Sequence, residues 1–419
     1  MKTLLPLIGA LAALSSPVIA KPNDAKPEVS REPVVILVSI DGFRADYLDR
    51  GITPNLSALA AKGVSASMRP SFPSKTFPNH WALVTGKVPD RNGIIANGFE
   101  DPAHPGEKFT MSSDEPYWWD EAEPIWVTAE KAGIRTATMF WPGSNVAWGG
   151  TWVTEPWKEA VGGTRPSDWQ QYNRAVSPAQ RVNAVLDWLR RPAATRPKLV
   201  TLYFDDVDTA GHHYGPDDAH TNAAVTEVDS DIGKLVAGLR ELGQAANVIV
   251  VADHGMAAVS SERSIALDQV ADPALYKAGD TGPFAALTPT EGNDAKLAAV
   301  LLKQHDHMQC WRKQDIPARL HYGRNPRIAP YFCLAETGWM INATKPDKPS
   351  TGGAHGFDNA APEMAALFIA SGPAFAADRK LAAFDNVDVA PLLRDLLGLP
   401  QATDGDGDDA PFKPVLKAK

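Results

Sequence analysis

The chain has 419 residues, of which 44% are hydrophobic, and its formal net charge is −9 at pH 7. These values describe a globular protein with a sizeable core and exclude the basic surface on which binding to duplex nucleic acid depends. Length alone would allow two or three domains, but strand-like runs of one kind recur at both ends of the chain, so we expect one α/β core with insertions.

The N-terminus has the features of a secretory signal peptide. A basic start at Met1-Lys2 precedes an apolar run from Leu4 to Leu14, and small residues close the segment at Ala20. We therefore predict a signal peptide over residues 1–20, a flexible leader over 21–33 and a periplasmic or secreted location. No later stretch approaches the roughly 20 apolar residues that a membrane-spanning helix needs, so we expect no membrane span.

Apolar strand patterns alternate with helical patterns along the rest of the chain. Predicted strands are Val34–Ile40, Lys198–Phe204, Asn247–Ala252 and Met364–Ala370. Predicted helices are Thr53–Lys62, Pro78–Thr85, Pro178–Arg190, Asn222–Leu242 and Val387–Leu397. Uninterrupted β-branched strands are typical of parallel sheets that are buried on both faces. We predict an α/β fold over residues 34–400, with a doubly wound, mostly parallel sheet and helices on both faces.

Metal-ligand side chains follow several of these strands. They are Asp41, Asp208, His212, Asp253, His254 and His355. A single Asp at a strand end is commonly a helix cap, and a single His commonly a satisfied polar group, but the joint occurrence outweighs both interpretations. Ligands in a doubly wound sheet bind outside the carboxyl ends of the strands. Three Asp and three His are enough for two ions, and oxygen and imidazole ligands without thiolate suit zinc or a related divalent ion.

A hydroxyl nucleophile is offered by a fifth segment. Thr76 lies within Pro73-Ser74-Lys75-Thr76-Phe77-Pro78-Asn79, just before the predicted helix Pro78–Thr85. A threonine hydroxyl is a weak nucleophile unless a base, a lowered pKa or a metal activates it.

Both cysteines lie in a segment that we predict to be an inserted subdomain, residues 257–350, which is rich in Pro, Gly and charge. Export would place Cys310 and Cys333 in an oxidising compartment, so we expect a disulfide. Two buried free thiols are the alternative, because spacing alone does not fix the geometry of the pair.

Residues 401–419 form an acidic and basic C-terminal tail. The run from Asp404 to Asp409 suggests a calcium loop but does not fit an EF-hand, which requires Gly where Asp409 stands and Glu where Val415 stands. We expect a solvated acidic loop.

Together these motifs resemble those of a bacterial nucleotide pyrophosphatase/phosphodiesterase of the alkaline phosphatase superfamily, over about Val34 to Leu397. The matching segments are Asp41–Arg44, Lys75–His80, Gly93–Asn97, Asp208 with Gly211-His212, Asp253–Met256 and Gly353–Gly356. The resemblance implies an alkaline-phosphatase-like fold with a smaller inserted subdomain.

The resemblance also implies a two-zinc centre and a covalent mechanism. One zinc ion would be held by Asp41, Asp253 and His254 with Thr76 beside it, and the other by Asp208, His212 and His355. Thr76 would form a phosphothreonine intermediate, and Asn97 together with the backbone N–H next to Thr76 would bind a phosphate oxygen. The products would be nucleoside 5′-monophosphates, for example AMP and pyrophosphate from ATP.

Small-molecule nucleotides are the substrates that the resemblance favours. Phe77 and Tyr172 resemble the two aromatics between which nucleotide-cleaving members stack the base, and their alternative is ordinary core packing. Trp148 and Trp152, in Gly-flanked loop sequence, are the predicted rim of the substrate pocket. Two other functions stay open: a choline-phospholipid phosphodiesterase on the same metal centre and a non-catalytic nucleotide-binding protein.

Overall fold

The computed structural model describes residues 31–348 and 350–417. The predicted signal peptide and most of the predicted leader lie outside these residues. In chain order the strands are β1 (Arg31–Ile40), β2 (Val64–Arg69), β3 (Phe99–Glu100), β4 (Lys108–Phe109), β5 (Thr136–Met139), β6 (Thr151–Val153), β7 (Glu159–Val161), β8 (Asp168–Gln170), β9 (Leu199–Phe204), β10 (Gln244–Val251), β11 (Ala257–Ser260), β12 (Ser264–Ala266), β13 (Tyr276–Ala278), β14 (Phe284–Pro289), β15 (Met308–Arg312), β16 (Tyr331–Ala335), β17 (Met340–Asn342), β18 (Thr351–Ala354), β19 (Ala366–Ser371), β20 (Arg379–Lys380) and β21 (Phe384–Asp385).

The α-helices are α1 (Pro54–Lys62), α2 (Thr76–Thr85), α3 (Pro89–Asn92), α4 (Ile125–Lys131), α5 (Pro178–Arg190), α6 (Asp206–Tyr214), α7 (Ala219–Glu241), α8 (Leu267–Val270), α9 (Asp294–Leu301) and α10 (Val389–Leu397). Helices α1, α5 and α7 form one contacting group, and α2, α4 and α10 form another. The two groups flank the central sheet, as expected for an α/β fold with helices on both faces.

The central sheet has the strand order β20-β2-β19-β10-β1-β9-β5-β8, with β21 also paired to β2. Strand β1 pairs in parallel with β10 and β9, and β5 pairs in parallel with β9 and β8. The predicted α/β class with a mostly parallel sheet is therefore confirmed. Strand β1 begins at Arg31, so residues 31–33 belong to the sheet and not to a leader.

One predicted parallel strand, Met364–Ala370, runs in the other direction. It corresponds to β19, which is antiparallel to both β10 and β2. All six residues of β19 are buried, like those of β9. A strand buried on both faces is continuously apolar whichever way it runs, so composition did not report its direction.

The insertion after β10 carries its own sheet and core. Strands β13, β14, β16 and β15 form an antiparallel sheet in that order. Buried side chains such as Leu297 and Tyr331 belong to a hydrophobic cluster separate from the main core. Cys310 and Cys333 lie directly opposite each other on β15 and β16 and are joined by the predicted disulfide. Strand β18 then returns the chain to the central sheet and contacts α6.

The acidic run Asp404–Asp409 is largely exposed, as predicted, but the C-terminal tail that carries it is anchored to the main core. Phe412 is fully buried and packs against Phe368 and Phe384 of the main core. Lys87 donates to Asp404 at 2.6 Å, and the Val88 N–H donates to Asp406 at 2.9 Å. The tail is held because its carboxylates meet a basic donor 317 residues away and a backbone donor 318 residues away in sequence, which no local pattern reveals.

Within residues 31–348 and 350–417, no helix has both the length and the apolar character needed to cross a membrane.

Candidate metal centre and substrate cavity

The six predicted ligand residues converge at the carboxyl ends of the central strands. Asp41 directly follows β1, and Asp253 and His254 follow β10. Asp208 and His212 are one turn apart in α6, after β9, and His355 follows β18. Three parallel strands and the return strand of the insertion thus deliver all six side chains to one place.

The first set of donors surrounds the Nε2 atom of His254. Asp41 Oδ1 lies 3.4 Å from this atom and Asp253 Oδ2 lies 2.9 Å from it. Thr76 Oγ1 lies 3.4 Å from the same atom. Asp41, Asp253 and His254 are all buried.

The second set consists of Asp208, His212 and His355. His212 Nε2 lies 3.4 Å from Asp208 Oδ1 and 3.1 Å from His355 Nε2, and His355 Nε2 lies 3.6 Å from Asp208 Oδ1. The sets adjoin each other, because the rings of His254 and His355 are stacked with their centroids 3.5 Å apart.

Each histidine turns the same nitrogen toward these sets. Nδ1 of His212 bonds to the Gly353 carbonyl at 2.8 Å and Nδ1 of His355 to the Ser74 carbonyl at 2.9 Å. Nδ1 of His254 bonds to the Gly255 carbonyl at 2.9 Å. A carbonyl accepts, so each Nδ1 carries the proton and each Nε2 keeps a lone pair, which is how protein surroundings orient metal-ligating histidines.

The carboxylates lack protein donors where they meet these lone pairs. Among the described residues, Asp41 Oδ1, Asp208 Oδ1 and Asp253 Oδ2 are buried without a hydrogen-bond partner. A cation between these facing acceptors, which lie 2.9 to 3.6 Å apart, would offset the cost of burying them. Ligand bonds of about 2.0–2.1 Å at tetrahedral angles separate donor atoms by roughly 3.3 Å, so both sets fit zinc.

The pKa shifts of Asp41, Asp253 and His355 show that the charges in these two sets are not compensated by other protein groups. Burial, followed by repulsion from the neighbouring carboxylates, raises the pKa of Asp41 well above its ordinary value, and burial with repulsion from Asp208 does the same for Asp253. Burial, with the neighbouring His254, His212 and Lys75, holds the pKa of His355 well below its ordinary value. His355 is therefore neutral and able to act as a ligand.

Two buried side chains support the first set. The Tyr203 hydroxyl donates to Asp41 Oδ2 at 2.6 Å. The sequence carries no signal for this residue, because a tyrosine in a buried strand is ordinary. His80 bonds through Nδ1 to the Thr76 carbonyl at 2.9 Å and through Nε2 to Ser39 Oγ at 2.8 Å. Burial lowers the pKa of His80 to about 3, so this histidine is neutral and holds the backbone of Thr76.

Asn97 is tied to the start of α2. Its Oδ1 accepts the Phe77 backbone N–H at 2.9 Å. The prediction has Asn97 and the backbone N–H next to Thr76 both donate to a phosphate oxygen, whereas in the structure the Phe77 N–H already donates to Asn97. Its amide nitrogen is the remaining donor toward a bound anion.

A cavity of about 500 Å³ extends from the metal-ligand sets to the predicted aromatic pair. Thr76, Asn97, Phe77 and Tyr172 all line it. A groove of about 670 Å³ on the insertion is larger, but its walls include none of the six candidate ligands. The smaller cavity is the candidate substrate site, since it joins reactive and apolar surfaces.

The aromatic walls of this cavity differ in part from the prediction. Phe77 is half-buried against Phe109 and Trp119, with ring centroids 6.1 and 6.0 Å away. Tyr172 is 43% exposed. Among the described residues, the lining tryptophans are Trp119 and Trp141, not the predicted Trp148 and Trp152. The indole of Trp148 instead donates to the Ala122 carbonyl at 3.0 Å, so its glycine neighbours did not indicate a rim position.

Comparison with known proteins places these features in context. Residues 35–358 match the model of a family described as type I phosphodiesterase/nucleotide pyrophosphatase. A bis(5′-adenosyl)-triphosphatase, enpp4 of Xenopus laevis, is 39% identical over 394 residues, which cover 93% of this chain and 82% of the relative. An uncharacterized pyrophosphatase/phosphodiesterase of Schizosaccharomyces pombe is 37% identical over 390 residues, covering 88% of this chain and 78% of the relative.

Solved structures show the same likeness. Human ectonucleotide pyrophosphatase/phosphodiesterase 5 superposes with a TM-score of 0.85 at 34% identity, covering 92% of this chain and 100% of that chain. The murine protein, solved as an inactive threonine-to-alanine variant in complex with AMP, gives a TM-score of 0.84 at 33% identity, with coverage of 92% and 100%.

Proposed function

Because the chain belongs to the type I phosphodiesterase/nucleotide pyrophosphatase family, a family of hydrolases, we propose that it hydrolyses nucleotide phosphodiester and phosphoanhydride bonds. The products would be nucleoside 5′-monophosphates, for example AMP and pyrophosphate from ATP. One observation carries the proposal: the Thr76 hydroxyl, both sets of metal-ligand atoms and the two aromatics line or border a single cavity.

The proposed cofactor is two zinc ions per chain. Asp41, Asp253 and His254, with Thr76 beside them, would hold one ion, and Asp208, His212 and His355 the other. The fit of the donor distances, the bonds that turn each histidine Nε2 toward the sets and the unpartnered carboxylate oxygens support this assignment. Zinc held in these sets would lower the pKa of the threonine hydroxyl and neutralise charge that develops on the phosphate oxygens.

Thr76 is the proposed nucleophile. Its Oγ1 attacks the phosphorus that bears the 5′ nucleoside, the bond from phosphorus to the leaving oxygen breaks, and a phosphothreonine ester of the nucleoside monophosphate remains. Water then cleaves the bond between phosphorus and Oγ1 and regenerates the hydroxyl. Thr76 is the first residue of α2, where the helix dipole favours the negative charge of the phosphate.

Asn97 is the proposed donor to a non-bridging phosphate oxygen. With its Oδ1 fixed by the Phe77 N–H, its amide NH₂ group has one orientation, and a donor that is already oriented stabilises the transition state without reorganisation.

Phe77 and Tyr172 are the proposed walls of the base site. Stacking on an aromatic ring contributes about 1–3 kcal/mol per base and tolerates any base, so we expect a broad range of nucleotides. The AMP complex of the murine relative supports a nucleotide substrate, since AMP is a product of the expected class.

A periplasmic or secreted location and a bacterial origin stay predictions. The signal peptide on which they depend lies outside the described residues, and the relatives named above are eukaryotic. The disulfide between Cys310 and Cys333 supports an oxidising compartment.

Product analysis with zinc-loaded protein tests the proposal. ATP, a dinucleotide and a choline phospholipid are offered in parallel, and the expected result is AMP and pyrophosphate from ATP. Phosphocholine with ATP untouched would identify a lipid phosphodiesterase, and bound but intact nucleotide would identify a non-catalytic binding protein. Thr76→Ala should abolish ATP turnover and keep its zinc, whereas Thr226→Ala, an exposed threonine on α7, should behave as the unaltered protein; turnover retained by Thr76→Ala contradicts the covalent route.

A further inference from the structure

A buried arginine stands behind the wall of the substrate cavity. Arg181 of α5 is 2% exposed. Its guanidinium donates to Asp205 Oδ1 at 2.8 Å and to the Tyr203 carbonyl at 3.1 Å, and its Nε donates to the Val176 carbonyl at 3.0 Å. A buried guanidinium is stable only when its donors are used in this way.

This guanidinium lies over the rings of two cavity aromatics. Its central carbon is 5.0 Å from the ring centroid of Phe140 and 5.8 Å from that of Tyr172. The two rings meet edge to face, with centroids 5.6 Å apart. Phe140 has a φ of +66°, which is rare for an aromatic residue and persists only where the surroundings fix it.

Asp205 joins this arginine to the exposed tyrosine. Its Oδ1 accepts from Arg181 and its Oδ2 accepts from the Tyr172 hydroxyl at 2.7 Å. Asp205 also directly precedes α6, the helix that carries Asp208 and His212. The tyrosine ring is therefore tied, through one carboxylate, to the helix that supplies the second set of metal ligands.

We propose that Arg181 and Asp205 are positioning residues for the nucleoside: they hold Tyr172 as a pre-formed stacking platform at a fixed place relative to the metal-ligand sets. This inference rests on the proposed nucleotide substrate. Neither residue needs to touch the base, because both act through Tyr172.

The physical reason is pre-organisation. A tyrosine that is 43% exposed would sample several orientations without a partner for its hydroxyl, and a base would then have to order the ring on binding. With the hydroxyl bound to Asp205, the ring is ordered before the substrate arrives. The gain should appear for substrates that carry a nucleoside and be absent for diesters without one.

Two variants test this with zinc-loaded, full-length protein. Tyr172→Phe keeps the ring and removes the hydroxyl, and Asp205→Asn keeps the shape and removes the charge. The substrates are the p-nitrophenyl ester of thymidine 5′-monophosphate and bis(p-nitrophenyl) phosphate, which has no nucleoside. We expect each variant to raise KM for the nucleoside ester about 3- to 10-fold more than KM for the simple diester, the loss of one hydrogen bond.

The double variant separates positioning from independent contact. If Asp205 acts through Tyr172, Tyr172→Phe combined with Asp205→Asn should raise KM for the nucleoside ester no more than the larger single effect. Additive effects would show that Asp205 contacts the substrate by itself and would overturn the proposal. Arg181→Lys should raise KM for the nucleoside ester relative to KM for the simple diester by the same factor as the other two variants. Arg181 is buried; if this variant does not fold, the result rests on Tyr172→Phe, which changes an exposed residue.

Matched controls come from the same chain. Tyr276→Phe removes a hydroxyl from a half-buried tyrosine of the insertion, and Asp187→Asn removes a carboxylate that pairs with Arg190 on the exposed side of α5. Both should match the unaltered protein. If the unaltered protein itself does not prefer the nucleoside ester, the proposed nucleotide function fails; if it does but Tyr172→Phe and Asp205→Asn keep its KM ratio, only the positioning role fails.

Discussion

Asp404 and Asp406 of the C-terminal tail meet protein donors, whereas the aspartates at the ends of the central strands have carboxylate oxygens with none. Lys87 donates to Asp404, the Val88 N–H donates to Asp406, and Arg91 also forms an ion pair with Asp406. Asp41 Oδ1, Asp208 Oδ1 and Asp253 Oδ2 face one another and histidine Nε2 atoms instead. The tail carboxylates are neighbours in the sequence and the strand-end carboxylates are brought together by the fold, yet only the second group has buried oxygens without a protein donor.

The difference teaches what distinguishes a metal centre from an acidic surface. Carboxylates near water and basic side chains lose little free energy by being close together. Carboxylates that are buried without counter-charge are costly until a cation binds. Buried carboxylate oxygens that lack a protein hydrogen-bond donor therefore indicate a metal site better than the number of acidic residues does.

The largest contrast should come from removing one charge in each group. Asp253→Asn should lose a bound zinc and at least about 10³-fold in turnover, because the ion contributes several kcal/mol to transition-state stabilisation. Asp406→Asn, the matched change in the tail, should keep full metal content and activity. Metal analysis and kcat/KM check both, and equal losses in the two variants would refute the distinction.

Metal removal should affect the two regions unequally. We expect a chelator to lower the free energy of unfolding by about 3 kcal/mol for each bound ion, relative to protein in zinc at 100 times its dissociation constant. Thermal melting with and without chelator measures this. The chelator should lower the melting temperature of Asp406→Asn as much as that of the unaltered protein, and that of Asp253→Asn by less. If the chelator leaves the melting temperature of the unaltered protein unchanged, the proposal that bound metal stabilises the buried carboxylates is wrong.

A smaller loss of metal affinity should follow from displacing the backbone carbonyl that orients one proposed ligand, His212. A Cβ on Gly353 would lie 2.5 Å from the Gly211 carbonyl oxygen, so Gly353→Ala should push β18 from α6 and break the bond from His212 Nδ1. Loss of such support typically costs 10–100-fold in metal affinity. Zinc titration should show the loss for one ion only, and Gly279→Ala, whose Cβ finds its nearest atom at 3.5 Å, should show none.

The smallest effect concerns a buried acid beside the tail. Burial, with the nearby carboxylates of Asp385 and Asp408, raises the pKa of Asp388 to about 6. The folded state therefore binds a proton that the unfolded state releases near pH 4, so this contribution to stability is complete below pH 4 and is lost as pH rises to about 6. Asp388→Asn should be more stabilising, relative to the unaltered protein, at pH 7.5 than at pH 4.5 in chemical denaturation; a pH-independent difference would contradict the shift.

The central strands and the convergence of the proposed ligand residues were predictable because each leaves a local signal. The apolar run Val34–Ile40 predicted a buried strand, and Asp41 directly after it predicted a position at the sheet's carboxyl edge. Helix α5 was predicted at its observed bounds, since Ser177 caps it with Gln180 and Pro178 follows at the first position.

Features that depend on distant partners were not predictable. The direction of β19 depends on which strands flank it, and the burial of Phe412 depends on a surface formed by β19 and β21. Tyr203 and Arg181 gave no signal, because a buried tyrosine and a helical arginine are common; only their contacts with Asp41 and Asp205 give them roles at the site.

The route of the chain through the insertion has a consequence for biosynthesis. Asp41, Asp253 and His254 are all present once 254 residues have been made, but His355 emerges only after the insertion, on the far side of β18. Because long chains fold progressively as they leave the ribosome, the first ligand set can assemble while the second still lacks a histidine. A chain interrupted within the insertion would keep Asp208 and His212 without His355, so only molecules that extend past His355 contain both proposed sets.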